Sequence, residues 1–188
     1  MATVTRLSFT GDGDADDFIS TRPLALLIGM LLDHQIPIER AFAAPFQLSR
    51  RLPVDFAAEA IAWMPPSELE ACFRQPPVLH RYPAMMARQV QALCAYIAEH
   101  HHGDATAIWT DTEDGGELLR SISALPGFDD RKARILVALL GKQLGVTPLG
   151  WEVAAGMYAL PGYRSIADVT DRRSLDRVRA YNREHPGA

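Results

Sequence analysis

The chain has 188 residues, of which 48% are hydrophobic and 22% are charged, and its net charge is −4. This length suits one globular domain with a proper core. The negative charge excludes a uniformly basic DNA-binding protein, because affinity for nucleic acid depends largely on neutralised phosphates, but it allows one basic face.

Cysteine usage and hydropathy set two further limits. The two cysteines, Cys72 and Cys94, are too few for a four-cysteine metal or iron–sulfur site, and their apolar neighbours predict buried thiols in a reducing cytoplasm. The longest apolar run, residues 23–32, is about half of what spanning a bilayer requires. No basic segment followed by an apolar one opens the chain, so neither export nor a membrane location is expected.

In chain order, the pattern predicts one short strand and then helices only. The strand is at residues 7–9, and residues 23–36 form a helix that is apolar on all sides and therefore the buried axis of the core. Residues 83–100 carry an amphipathic stripe. The predicted helices are at residues 23–36, 56–62, 66–74, 83–100, 115–124, 130–145, 151–158 and 165–183. The predicted fold class is all-α.

Two segments resemble metal sites without fitting one. In "GDGDADD", residues 11–17, Asp12, Asp14 and Asp16 alternate as in a calcium loop, but the sixth-position glycine and the closing glutamate are missing. A solvated loop that caps a helix fits better. Three adjacent histidines, residues 100–102, end a helix and cannot all face one ion. No metal site is therefore expected.

The stretch "LPGFDDRKA", residues 125–133, predicts a tight Pro-Gly turn between two helices. Such a turn aims the first N–H groups of the second helix outward, where they can meet a phosphate. Arg131, Arg134 and Lys142 share one face of that helix on a helical wheel, while leucines occupy another. A basic phosphate-binding face fits this pattern, and so does an ordinary solvated face.

These motifs resemble the helix-hairpin-helix base-excision DNA glycosylases, the HhH-GPD superfamily, in a branch without an iron–sulfur cluster. The first helix, "LLIGMLLDHQI", ends in a polar pair that the family points at DNA, here His34 and Gln35 after Asp33. The hairpin matches the family's Leu-Pro-Gly-x-Gly followed by a basic residue and Ala. Residues 36–146 would form a helical-barrel lobe with the hairpin at residues 117–145. Residues 1–35 and 147–188 would form the second lobe.

The resemblance implies site residues, and the sequence departs from the family at three of them. Asp129 replaces the second hairpin glycine, which weakens phosphate binding there. Arg131 stands at the lyase-lysine position and cannot form a Schiff base, and Lys132 faces a different direction about 100° around the helix. The family's catalytic Asp would fall at Leu149 or Gly150. Glu152 is the nearest carboxylate and the first candidate, Asp33 is the second, and Asp168 is a further alternative.

The implied function is base-excision repair of double-stranded DNA that contains a damaged base. The chain would be a monomeric, monofunctional N-glycosylase that flips the base out of the duplex. Trp151 and Tyr158 would stack on that base or simply belong to the core. The DNA-binding residues would be His34, Gln35, Gly127, Phe128, Arg131, Lys132, Arg134 and Lys142. No cofactor is implied beyond a monovalent cation at the hairpin. A non-catalytic duplex-binding module and a protein-interaction domain are the alternatives.

Overall fold

The computed structural model describes residues 6–185, and within them the regular structure is helical, apart from one isolated bridge between Asp114 and Leu149. The predicted all-α class is confirmed. The helices are α1 (Gly13–Thr21), α2 (Pro23–Leu32), α3 (Ile38–Ser49), α4 (Ala58–Ala62), α5 (Pro66–Arg74), α6 (Pro83–His101), α7 (Ala107–Thr110), α8 (Gly115–Ser123), α9 (Asp130–Leu144), α10 (Trp151–Ala155) and α11 (Arg172–Glu184).

Helix α2 is the axis of the core, as its all-round apolar sequence predicts. Every residue from Leu24 to Leu32 is buried. The helix packs against α1, α3, α6 and α9, so apolar side chains on each of its faces find a partner. It ends at Leu32, four residues before the predicted end, because Gln35 has a left-handed backbone (φ +55°) and a proline follows at position 37.

The acidic segment caps α1, as predicted. The Asp12 side chain accepts hydrogen bonds from the backbone N–H groups of Asp14 and Ala15. Asp16 is buried, and its Oδ1 accepts from the backbone N–H groups of Phe9 (3.0 Å) and Thr10 (2.9 Å). These bonds fasten the preceding segment to the helix.

Three expectations about the elements are wrong, and helices α3 and α7 were not predicted. Residues 7–9 form no strand, because Asp16 binds the backbone there in place of a neighbouring strand. Helix α3 was not predicted, because Pro45 lies inside it. Residues 151–158 end as a 3₁₀ turn, Gly156–Ala159. Residues 165–183 divide into a 3₁₀ turn, Ile166–Asp168, and α11.

The helix-hairpin-helix motif is present between α8 and α9. Phe128 donates its backbone N–H to the carbonyl of Leu125 (3.1 Å), and Gly127 has φ +82°, which together make a tight Pro-Gly turn. A Cβ atom at position 127 would lie 2.6 Å from Leu31 Cδ1. A glycine is therefore needed here both for backbone conformation and for contact with α2.

The second half of the chain packs along α9, which contacts α8, α10 and both 3₁₀ turns. The predicted division into two lobes stays a prediction. Cys72 and Cys94 are both buried, as expected. Among residues 6–185, the helices are too short or too polar to cross a bilayer.

Candidate active site

The end of α2 and the start of α9 meet at a small cavity of about 110 Å³. Asp33 and His34 reach it from the turn that follows α2, Arg131 and Lys132 from the first turn of α9, and Arg164 from the segment before the second 3₁₀ turn. At roughly 30 Å³ per molecule, this volume holds about three waters. Its lining is Met30, Asp33, His34, Ile38, Asp129, Arg131, Lys132, Ile135, Arg164, Ser165, Ile166 and Asn182.

A wider groove of about 580 Å³ shares Asp33, His34 and Arg131 with this cavity. Its volume lies in the range of small-molecule sites. The groove is lined by Asp33, His34, Gln35, Ile36, Pro37, Ile38, Arg131, Arg179, Asn182 and Arg183. The cavity and the groove are named the Asp33 cavity and the outer groove below.

Asp33 and Lys132 form the unusual titratable pair of the Asp33 cavity. Burial raises the pKa of Asp33 to about 6, although the positive charges of Lys132 and Arg131 lower it. Burial also lowers the pKa of Lys132, which Asp33 and Asp129 partly offset. Perturbed groups that share a cleft are typical of active sites. Lys132 and Arg131 both line this cavity, although they point in different directions, Lys132 toward the Leu31 carbonyl and Arg131 toward the Tyr158 hydroxyl.

Lys132 is nevertheless fixed in place. Its Nζ donates a hydrogen bond of 2.6 Å to the carbonyl of Leu31 in the last turn of α2. A cation at a helix C-terminus is stabilised by the helix dipole and by the free carbonyls there. Lys132 therefore joins α9 to α2 directly beside Asp33.

The raised pKa of Asp33 predicts that this residue destabilises the fold at neutral pH. The folded state binds more protons than the unfolded state between pH 3.8 and about 6, so stability falls as pH rises through that window. A shift of this size is equivalent to at most about 3 kcal/mol. We expect Asp33→Asn to unfold at higher urea than the parent at pH 8, with the difference shrinking toward zero near pH 4. Equal urea midpoints of Asp33→Asn and the parent at pH 8 would contradict the prediction that ionised Asp33 destabilises the fold.

The segment after Asp33 is held by hydrogen bonds from His80 and Tyr82 that the sequence did not predict. The buried His80 accepts the backbone N–H of Tyr82 on Nδ1 (3.1 Å), so Nε2 carries the proton and donates to the carbonyl of His34 (3.0 Å). Burial lowers the pKa of His80, which keeps the ring neutral and this arrangement intact. The Tyr82 hydroxyl donates to Gln35 Oε1 (3.1 Å). His34 and Gln35 are thus held at the outer groove, with both side chains exposed.

The basic face predicted on α9 is mostly occupied by internal partners. Arg134 pairs with Asp130 (2.8 Å) and donates to the carbonyl of Ala154 (2.7 Å). Lys142 pairs with the buried Asp168 (2.6 Å) and donates to the carbonyl of Leu160 (2.9 Å). These contacts hold α10 and the second 3₁₀ turn against α9.

The N-terminus of α9 is capped by the chain itself. Asp129 Oδ1 accepts the backbone N–H of Lys132 (2.7 Å), and the φ of Asp129 is −84°, a conformation that does not require the glycine it replaces. Asp130 adds a second negative charge in the first turn. Gly127 packs against Leu31, and Phe128 is buried. A carboxylate therefore already occupies the place where an anion would bind.

Glu152 does not reach the Asp33 cavity. It is exposed on α10, beside Leu149 and Val153, which are both 83% exposed. Neither Trp151 nor Tyr158 lines this cavity or the outer groove. Trp151 covers Gly141, where a Cβ atom would lie 2.4 Å from its ring, and the buried Tyr158 accepts a hydrogen bond from Arg131 Nε (3.3 Å).

Within the part of the chain that the structure describes, no group of three or more His, Cys, Asp or Glu side chains is arranged to hold a metal ion. The expected monovalent cation at the hairpin stays a prediction, as does the absence of an iron–sulfur cluster.

Comparisons with known proteins give one similar solved structure. No family model matches the chain, and no curated protein does. The chain is similar to a structure described as "Structure of a Trapped Endonuclease III-DNA Covalent Intermediate: Estranged-Adenine Complex", with 20% sequence identity and a TM-score of 0.48. The match covers 89% of this chain and 76% of that one. Such a similarity says nothing about what this chain binds or catalyses.

Proposed function

We propose that the chain is a base-excision repair protein that binds duplex DNA and hydrolyses the N-glycosidic bond of a damaged nucleotide at Asp33. The observation that carries this proposal is the perturbed Asp33 carboxyl in a cavity of about 110 Å³, which shares lining residues with a groove that carries three arginines. A carboxylate beside a sugar stabilises the positive charge that develops as the bond to the base breaks. The helix-hairpin-helix motif is consistent with a DNA partner.

In the proposed reaction, the flipped nucleotide enters the outer groove and its sugar approaches the Asp33 cavity. Water adds to C1′ of the sugar as the bond from C1′ to the base nitrogen breaks. The proton of the water passes to Asp33 and then to solvent, while the departing base nitrogen takes up one proton from solvent. The Asp33 cavity has room for that water, and Asp33 replaces Glu152 as the first catalytic candidate.

The proposed reaction is monofunctional, with hydrolysis and no strand cleavage. Arg131 stays protonated, and the Lys132 amine is engaged with the Leu31 carbonyl. We expect the protein to release free base from one member of a panel of oxidised, deaminated and alkylated duplexes, leaving an abasic site that breaks only in alkali. Mass spectrometry of the free base and gel analysis with and without alkali measure the two results.

Borohydride treatment tests the same point independently, because it reduces a Schiff base to a stable covalent adduct. We expect no adduct between protein and DNA. An adduct that Lys132→Arg eliminates would show that the reaction is bifunctional. Duplex binding without base release from any substrate would favour a non-catalytic DNA-binding module, and the absence of salt-dependent duplex binding would favour a protein-interaction domain.

A further inference from the structure

Helix α11 concentrates positive charge in a chain whose net charge is negative. Its residues include five arginines and two acidic residues, Asp176 and Glu184. The arginines are Arg172, Arg173, Arg177, Arg179 and Arg183. Ser174, Leu175 and Val178 are buried, so this helix packs through one narrow stripe and leaves the rest of its surface to the arginines.

The arginines of α11 fall into two groups by position. Arg179 and Arg183, together with Asn182, line the outer groove beside Asp33 and His34. Arg172, Arg173 and Arg177 are exposed and do not line it. The same helix therefore offers two groove-side arginines and three outward ones.

The groove-side arginines differ in how far they are neutralised. Arg179 forms an ion pair with the half-buried Glu39, which also pairs with Arg172 (3.4 Å). Arg183 makes no ion pair or hydrogen bond with any of residues 6–185 and is exposed. Arg131, on the α9 side of the same groove, uses only Nε, toward the Tyr158 hydroxyl, which leaves its terminal nitrogens without partners among those residues.

We propose that Arg131 and Arg183 bind the backbone phosphates of duplex DNA next to the nucleotide that enters the Asp33 cavity. This proposal rests on the proposed function. Arg134 and Lys142 of the expected basic face of α9 have carboxylate and carbonyl partners of their own. Arg131, from the same helix, and Arg183, from α11, instead line the outer groove together. Guanidinium binds phosphate with two parallel N–H donors, and Asn182 in the same lining adds a neutral donor.

The test compares arginines of equal charge, three on α11 and one on α9. Arg183→Gln and Arg131→Gln are measured against Arg173→Gln and Arg177→Gln for binding of a short duplex carrying a stable abasic-site analogue, across a salt series. We expect each of the first pair to weaken binding about 10-fold and to lower the slope of log affinity against log salt by about 0.9, the value for one phosphate contact. We expect the second pair to change affinity by less than about twofold.

Equal losses of duplex affinity in all four variants would overturn the proposal, because they would show a diffuse effect of net charge. Unchanged duplex binding by Arg183→Gln would overturn it as well. Thermal unfolding of each variant confirms that the fold is retained. Base release by the parent protein distinguishes a failure of this inference from a failure of the proposed function. If the parent protein releases base and Arg183→Gln binds the duplex as tightly as the parent does, only the phosphate contact is contradicted. Selective loss of binding without base release from any duplex defeats the proposed catalysis alone.

Discussion

Asp33→Asn is expected to slow base release by about 10²- to 10³-fold, the usual loss when a group that stabilises transition-state charge is removed. Asparagine keeps the shape of the side chain but cannot carry the charge or accept the proton. Duplex affinity should be kept or slightly strengthened, because one negative charge leaves the outer groove. Single-turnover release of base, with affinity measured separately, distinguishes these effects.

Two further results bear on the role of Asp33. Base release by the parent protein should rise with pH and level off above about 6, where the carboxyl is ionised. Glu152→Gln is the matched control and should release base at the parent rate, because Glu152 is exposed on α10. If Glu152→Gln releases base slowly and Asp33→Asn releases it at the parent rate, the catalytic carboxylate is Glu152 on α10.

Asp168→Ala is expected to have the largest effect on stability, a loss of about 3–5 kcal/mol in the free energy of unfolding. Asp168 is 7% exposed in its side chain and pairs with Lys142, which is 18% exposed. Its other oxygen accepts the backbone N–H groups of Arg164 (2.8 Å) and Ser165 (3.3 Å). The substitution leaves two backbone donors without their acceptor, and it leaves the partly buried Lys142 with only the Leu160 carbonyl as a partner.

The control for this prediction is Asp130→Ala, which removes the exposed partner of Arg134. Asp130 is 72% exposed in its side chain, and pairs of this kind contribute about 0–1 kcal/mol. Urea unfolding of the two variants under the same conditions makes the comparison. A cost for Asp168→Ala as small as that for Asp130→Ala would show that the Lys142 pair does not hold α9 to the second 3₁₀ turn.

The sequence predicted what depends on local pattern. The unbroken apolar run of α2 could only be a buried helix, and "LPG" followed by a basic helix could only be a tight turn between helices. The end of α2 was not predicted correctly because it depends on the left-handed backbone of Gln35. Hydrogen bonds from His80 and Tyr82, which are distant in sequence, hold His34 and Gln35 there.

The sequence did not predict which charges are free. A helical wheel places Arg134 and Lys142 on one face of α9, but it cannot show that α10 and Asp168 return to cover them. It also separates Lys132 from Arg131 by direction, although both side chains are long enough to reach one cavity. Arg183 lines the outer groove because α11 folds back beside the residues that follow α2. The local sequence of α11 does not predict this tertiary arrangement.

The most direct test of the Asp33 cavity as the catalytic centre is a crystal structure of the protein bound to a duplex with one pyrrolidine abasic nucleotide, a cationic mimic of the transition state. We expect that the nucleotide leaves the base stack, that its ring nitrogen lies against the Asp33 carboxylate, and that the flanking phosphates contact Arg131 and Arg183. A ring bound at α10 beside Glu152, or a duplex on another face of the protein, would contradict it.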